Sequence, residues 1–240
     1  MIFMVISHSA PQTSNGRSAM ETRTRGRRPN GVLGGREALL KAALICFAKS
    51  GYEGTSLRQL AAKASVDMAL VARLFGSKAQ LWVALVEHLK EVQETHLAKI
   101  RIFANGASSD PTGSFVQLVN EVAELGLVLP EFPALLMHEG ALKGARHDLL
   151  VDRLVRPLRD ASRPILQAAI DAKIIMSVSP DLCFGLLISA VAVPIMSPQL
   201  FGHTDLSSEQ LSKTLAAEML RLMLRSSLAP GCAAPAPGQS

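Results

Sequence analysis

The segment at residues 55–78, TSLRQLAAKASVDMALVARLFGSK, constrains the fold of this chain more than any other. Ser56 is positioned to cap a short helix, and Gln59, three residues later, completes the pattern of a capping box. The apolar pattern then pauses, and Asp67 is an acidic N-cap for a second short amphipathic helix. Two short helices joined by a tight turn indicate a helix-turn-helix, in which the second helix enters the major groove of DNA.

Several short motifs around this segment follow one another in a fixed order. They are GYEGTS at 51–56, LA at 60–61, ASV at 64–66, ALV at 69–71 and FGSK at 75–78. Taken together, from Arg36 to Val86, these motifs resemble the TetR family of transcriptional regulators. The resemblance implies an all-α, TetR-like fold with a three-helix DNA-binding head, a linking fourth helix, and a larger helical body that binds a ligand and dimerises.

The composition favours packed helices over sheets. Of the 240 residues, 48% are hydrophobic but 4% are aromatic, so the core must be aliphatic, which suits helices better than a β-sandwich or barrel. The three cysteines, at positions 46, 183 and 232, are far apart and form no CxxC motif. This spacing argues against a disulfide framework or structural zinc site, and we expect a reducing compartment, the cytoplasm.

The pattern divides the chain into four segments. Residues 1–33 lack periodicity and are rich in Arg, Ser, Gly and Pro, so we expect a disordered basic arm; Met20 is an alternative start to Met1. We expect the DNA-binding domain at 34–80, the ligand-binding and dimerisation domain at 81–227, and a disordered tail at 228–240.

Charge is concentrated at the end of the chain that carries the helix-turn-helix. Residues 1–36 hold six Arg against one Glu, residues 37–80 hold six basic against three acidic side chains, and residues 81–240 hold thirteen against sixteen. A cationic patch confined to one end is the electrostatic footprint of phosphate binding. The partner this predicts is double-stranded DNA.

The predicted DNA contacts fall into three groups. The arm can place guanidinium groups in the minor groove, the start of the first short helix and the start of the linking helix can meet phosphates, and the second helix can reach base edges. In the same order, the residues are Arg25, Arg27 and Arg28; Thr55, Ser56, Arg58 and Lys78; and Met68, Ala69 and Arg73. Family members often carry aromatic or His residues just before the Phe, whereas this chain has Ala72, Arg73 and Leu74, so a largely electrostatic mode of binding is an alternative.

Apolar periodicity predicts the remaining helices. A helix over residues 35–50 precedes the helix-turn-helix, and others follow at 78–103, 114–129, 133–139, 146–172, 181–197 and 207–226. Pro157 and Pro164 are expected to kink or break the helix at 146–172. A second capping box, Ser207 with Gln210, marks the start of the last helix.

The segment at 181–197 is apolar all round, a pattern that is compatible with four interpretations. It is shorter than the roughly 18–20 residues of a membrane span and contains Pro194, so we expect no membrane partner. The resemblance instead implies half of a four-helix homodimer interface with the last helix, although an adaptor that binds another chain, or an intramolecular core, remain alternatives. The expected dimerisation residues are Phe184, Leu187, Ile188, Val191, Leu215, Met219, Leu222 and Met223.

No pattern of catalytic residues emerges, so we expect neither an enzyme nor a cofactor. The sequence lacks a Gly-rich phosphate loop, a GxSxG motif and an HExxH motif. A metal held by His138, Glu139, His147 and Asp148 is a minor alternative.

A pocket for a small apolar ligand between helices is the stronger prediction, with Phe103, Phe115, Leu118, Phe132, Met137, His138, Met176 and Phe184 as candidates. Together these features predict a ligand-responsive, homodimeric DNA-binding regulator, a repressor that a small apolar effector releases from its operator.

Overall fold

A computed structural model describes residues 33–176, 179–197, 199, 202 and 205–224. These residues form ten α-helices, and the extended backbone among them is limited to an isolated bridge between Ile175 and Leu224. The helices are α1 Leu33–Ser50, α2 Leu57–Lys63, α3 Met68–Phe75, α4 Lys78–Gly106, α5 Pro111–Val128, α6 Phe132–Gly140, α7 Ala145–Leu150, α8 Arg156–Asp171, α9 Pro180–Met196 and α10 Ser208–Met223. The all-α prediction is confirmed. The predicted arm and tail, with Arg25, Arg27 and Arg28, lie outside the described residues apart from the backbone of Leu33.

Helices α1 to α3 form a small head around an aliphatic and aromatic core. Phe47 of α1 and Leu60 of α2 are fully buried, and Val71 and Phe75 give α3 its buried face. Gly35 lets α1 approach α3, because a Cβ there would lie 2.8 Å from the Leu70 side chain. The head therefore has a core of its own, which α4 extends with Leu81 and Leu85.

Helix α4 connects the head to the body. Its first turns pack against α1 and α3, and its later turns pack against α5 and α8. In the body, α5 also contacts α8, α9 and α10, and α9 packs between α8 and α10. One long helix thus contributes side chains to the cores of both parts of the molecule.

The predicted helix at 146–172 is interrupted before its first proline. Helix α7 ends at Leu150, a π-helical turn follows at Val151–Val155, and α8 begins at Arg156. The backbone stays helical through the π turn, in which the Arg156 N–H donates to the Val151 carbonyl, and Pro157, which has no N–H to donate, follows directly after it. The irregularity expected near Pro157 is thus a π turn within a continuous helical stretch and not a break in the chain's helical path, and Pro164 lies inside α8.

The described helices were also compared with the length and hydropathy of membrane spans. None of them alone is long and apolar enough to cross a membrane, whereas α3 and α4 together pass on length and composition but are bent by 67°. Both belong to the head and its connection, and their apolar side chains pack into the cores described above.

Candidate nucleic-acid interface and ligand cavity

The two short helices of the head are capped as predicted. The Gln59 carboxamide accepts a hydrogen bond from the Ser56 backbone N–H at 2.8 Å, and the Ser56 hydroxyl accepts one from the Gln59 N–H at 3.3 Å. Asp67 accepts from the Leu70 N–H at 2.6 Å. These caps satisfy backbone donors that helices of seven and eight residues would otherwise leave free.

A compact turn fixes the angle between α2 and α3. Ser65 adopts a left-handed conformation with φ of 54°, and the Val66 N–H donates to the Ala61 carbonyl at 3.0 Å. Val66 and Ala64 pack against the hydrophobic core. The turn is thus anchored from both sides, so α3 is held rigidly against α2.

Helix α3 presents one edge to solvent. Met68, Ala69, Ala72 and Arg73 are exposed, while Val71 on the opposite side is 1% exposed. The predicted base-reading residues Met68, Ala69 and Arg73 therefore share one accessible face. Arg73 is the side chain among them that can donate two hydrogen bonds to one guanine.

The predicted phosphate contacts divide into accessible and inaccessible side chains. Ser56 and Arg58 at the start of α2 are exposed. Thr55 is 3% exposed, and its hydroxyl donates to the carbonyls of Gly51 at 2.9 Å and Cys46 at 3.2 Å. The prediction for the Thr55 side chain is thereby corrected: its hydroxyl ties the end of α1 to the start of α2, and this leaves it no reach toward a phosphate.

Lys78 opens α4, directly after the Ser77 cap, whose hydroxyl accepts from the Gln80 N–H at 3.1 Å. Its ammonium group lies 4.2 Å from the centre of the Tyr52 ring, and the Arg146 guanidinium lies 4.0 Å from the same ring. Burial raises the pKa of the Tyr52 phenol above its ordinary value of 10.0, so the ring stays neutral near neutral pH. Tyr52 thus contacts a cation of the head on one helix and a cation of the body on another.

Arg146 of α7 is a contact between head and body that the sequence did not reveal. It pairs with Glu139 of α6 at 3.2 Å and with Glu53 of the head at 3.1 Å. Glu139 is 1% exposed, so Arg146 neutralises a buried carboxylate while it stacks on Tyr52. Nothing in the spacing of these residues along the chain predicts the cluster, because three separate segments supply it.

A cavity of about 250 Å³ lies in the body between α4, α5, α6, α8 and α9. Three of the eight predicted ligand residues line it: Phe132, Met137 and Phe184. The other five do not. Phe115 and Leu118 are fully buried core residues, Phe103 packs at the edge of the core, Met176 is 81% exposed, and His138 is exposed beside Gly51 of the head.

The cavity wall carries one buried polar group that sequence analysis missed. Within the described part of the chain, Gln93 of α4 and Ser189 of α9 are the polar residues among the lining, and no lining residue is charged. Gln93 is 1% exposed, and its side-chain Oε1 has no hydrogen-bond partner in the described residues. The sequence does offer a signal for this residue, because Gln93 lies one turn from Leu89 and one turn from Leu97 on an apolar helix face.

A separate polar cluster joins α4 to α5. The buried His96 Nδ1 lies 2.6 Å from Glu121, and the Lys99 ammonium lies 2.9 Å from Glu121 and 3.4 Å from Glu124. The hydrogen bond to Glu121 raises the pKa of Lys99. His96, Glu121 and Glu124 have the donor types and proximity of a metal site, but Lys99 already pairs with both carboxylates.

The four residues weighed as metal ligands do not form such a group among the described residues. Glu139 is paired with Arg146, and His147 lies 3.1 Å from its neighbour Asp148. His138 instead faces Gly51 of the head, where a Cβ would lie 3.5 Å from its Nδ1. These side chains serve the junction of α6 and α7 with the head.

The predicted dimerisation residues have different surroundings. Phe184, Leu187, Val191 and Met219 are at least 93% buried in the chain's own core, so their side chains are not free to meet a partner. Ile188, Leu215 and Met223 are half-buried, and Leu222 is 82% exposed. The opposite side of α9 bears a row that we call the α9 stripe: Leu182, Leu186, Ser189 and Val193, all exposed. The accessible apolar surface of α9 is therefore this stripe.

Comparison with known proteins places these features in context. Residues 39–85 match the family described as bacterial regulatory proteins, tetR family. The chain is 28% identical over 151 residues to the HTH-type transcriptional repressor NicS of Pseudomonas putida, covering 62% of this chain and 69% of NicS. It is 29% identical over 137 residues to the HTH-type transcriptional regulator RutR of Escherichia coli, covering 57% of this chain and 61% of RutR. The solved structure of the ketosteroid transcriptional regulator KstR2 of Mycobacterium tuberculosis shares the fold, with a TM-score of 0.62 and 17% identity over 80% of this chain and 95% of that one.

Proposed function

The chain carries a DNA-binding domain of the TetR family of bacterial regulatory proteins, as its motifs predicted, and from that premise we propose that it is a homodimeric repressor that a small apolar effector releases from its operator. The exposed edge of α3 is the observation that carries the proposal. Met68, Ala69 and Arg73 are exposed along this edge, which supports their contact with the major groove, while the buried Val71 and Phe75 hold the helix on the head.

The residues around α3 support a bound orientation on the duplex. The exposed Arg58 belongs to α2, which precedes α3 along the chain, and the half-buried Lys78 begins α4, which follows it. Cations favour phosphate oxygens, and backbone contacts from both flanking helices would fix the register of α3 in the groove. We infer that Ser56, Arg58 and Lys78 contact the backbone and that Arg73 reads a base.

The α9 stripe supports a homodimer. Leu182 and Leu186 are 63% and 65% exposed, and Leu222 on the neighbouring α10 is 82% exposed. Such a row of large apolar side chains is costly in water and typical of an interface between identical subunits. Two copies joined through α9 and α10 would present two α3 helices to half-sites about one helical turn apart.

The cavity supports regulation by a small molecule. It is lined almost wholly by apolar side chains and borders α4, the helix that begins at Lys78. A ligand that fits one position of α4 better than another would change the separation of the two α3 helices in a dimer. We infer that the effector binds here and that the protein acts in the cytoplasm as a regulator rather than an enzyme.

Operator recovery tests the proposal. DNA that copurifies with the full chain is sequenced, and the enriched duplex is compared with a scrambled duplex of equal length in mobility-shift titrations at low and high salt. We expect a palindromic site that keeps a preference over the scrambled duplex at both salt concentrations. Equal affinity for both duplexes at both salts would contradict sequence-specific repression and leave a mainly electrostatic DNA binder.

A further inference from the structure

We propose that Gln93 is the polar contact of the effector, and that the effector is a neutral molecule with an apolar body of about ten carbons and one hydrogen-bonding head group. This inference rests on the proposed function, because it assigns a ligand class to the same cavity. Its starting point is a side chain that the folded protein leaves without its usual partner.

An amide oxygen buried without a hydrogen bond is unusual. Most buried polar groups in proteins are paired, and an unpaired one lowers stability. Gln93 is 1% exposed, lines the cavity, and its Oε1 has no partner in the described residues. Residues around it such as Val122, Leu125 and Leu154 offer no side-chain donor. A ligand hydroxyl or amide is a chemically matched partner, because it can donate to Oε1 and accept from Nε2.

The lining also specifies the charge of the ligand. Within the described residues, no charged side chain borders the cavity. A carboxylate or ammonium group would lose its hydration there without gaining a counter-charge, which is strongly unfavourable. The nearby Lys99 is engaged with Glu121 and Glu124 and does not line the cavity. The head group that fits is therefore neutral.

The volume sets the size of the apolar body. A cavity of about 150 Å³ accommodates benzene, and this one measures about 250 Å³. In proportion, it holds about ten carbon atoms. Met137, which is 64% exposed, stands at the solvent side of the lining on α6, away from the α9 stripe, and marks the route of entry that we infer.

The position of Gln93 links the ligand to DNA binding. Gln93 and Lys78 lie on the same helix, about 22 Å apart along its axis at 1.5 Å per residue. A hydrogen bond made only when the ligand is present acts on α4 directly, with no intervening loop. The ligand therefore favours one position of the helix that carries a predicted phosphate contact.

Calorimetric titration with two probes tests the assignment. The full chain is titrated with 1-decanol, below its solubility limit, and with decanoate at neutral pH. We expect 1-decanol to bind, and decanoate to bind at least about tenfold more weakly because its charge is not compensated. An absence of 1-decanol binding, or tighter binding of decanoate, would overturn the inference.

The variant Gln93→Leu tests the contact itself. We expect its affinity for 1-decanol to fall about tenfold, the effect of one hydrogen bond, and its melting temperature without ligand to rise, because an unpaired buried amide is removed. Gln117→Leu makes the same change at an exposed position of α5 and should alter neither quantity. Unchanged 1-decanol affinity in Gln93→Leu would refute the role of Gln93.

Two further measurements separate the possible failures. Should Gln93→Leu fail to fold, as judged by circular dichroism, Gln93→Met is used, and the comparison of the two probes on the unmodified chain stands independently. Mobility shifts with 1-decanol then address the proposed function alone. If 1-decanol binds through Gln93 but leaves the operator complex intact, the ligand class holds and effector-driven release is wrong.

Discussion

Arg73 illustrates how much of the DNA interface depends on a single side chain. It lies on the exposed edge of α3 with two small neighbours, Ala69 and Ala72. Alanines let the helix approach the groove closely but offer no hydrogen bonds to bases. We therefore expect sequence discrimination by α3 to depend mainly on Arg73, with Met68 available for an apolar contact such as a thymine methyl group.

Replacing Arg73 should remove specificity more than affinity for DNA in general. We expect Arg73→Ala to lose about 1–3 kcal/mol of preference for the operator over a scrambled duplex. Arg58→Ala, which removes a predicted phosphate contact, should instead weaken both complexes equally. Mobility-shift titrations with the two duplexes measure the difference. An operator preference that survives in Arg73→Ala would assign base reading to another residue.

At the scale of elements, local signals along the chain predicted where the helices begin and end, but they did not predict which helices contact one another. Ser56, Asp67 and Ser207 all cap the helices they were expected to cap. Capping depends on residues within one turn, so it is legible in sequence. Pro157 indicated an irregularity in this part of the chain, but the π turn at Val151–Val155 was not predicted, because a proline can be accommodated in more than one way.

The candidate sites show the same limit. The edge of α3 was predicted because helix periodicity fixes which residues share a face. The cavity was predicted only in part: Phe132, Met137 and Phe184 line it, whereas Phe115 and Leu118 complete the core. All five are apolar residues on helices. Whether such a residue lines the cavity or lies in the hydrophobic core depends on how helices distant in sequence pack together.

The junction between the head and helices α6 and α7 gives a prediction at this scale. Arg146→Ala leaves Glu139 buried and unpaired and removes the stacking on Tyr52. We therefore expect the free energy of unfolding to fall by about 2–3 kcal/mol. This loss is somewhat below the cost of breaking a fully buried pair, because Arg146 is partly exposed. Urea denaturation followed by circular dichroism measures the loss.

Two variants serve as controls for the junction. Arg153→Ala removes a more exposed ion pair, with Glu87 at 3.4 Å, and should cost no more than about 0.5–1 kcal/mol. Adding Glu139→Gln to Arg146→Ala should restore part of the stability, because the uncompensated charge is gone. If Arg146→Ala is no more costly than Arg153→Ala, the junction does not stabilise the fold.

At the scale of the whole molecule, the single chain leaves the α9 stripe in water although its core is well packed. Leu186 lies in the middle of that stripe and is 65% exposed. We expect Leu186→Glu to convert the dimer to a monomer without unfolding it, because the new charge is solvated in the free chain and buried in the interface. Light scattering coupled to size-exclusion chromatography measures the mass.

A matched change elsewhere on the surface controls for charge alone. Ile102 on α4 is 68% exposed, and Ile102→Glu should remain a dimer and keep its operator affinity. Leu186→Glu should lose operator affinity along with dimerisation, since a monomer engages one half-site at a time. A Leu186→Glu protein of dimeric mass would place the interface on another surface.

The aromatic cluster of Phe47, Tyr52 and Trp82 also gives the protein an intrinsic fluorescent probe. The chain has one tryptophan and one tyrosine, and their ring centres lie 5.6 Å apart, with Phe47 packed against both. All of the indole emission therefore arises where α4 meets the head, and Tyr52 is close enough to pass its excitation to Trp82. A tilt of α4 that draws Trp82 away from Tyr52 would alter the wavelength and yield of that emission in real time, with no dye attached.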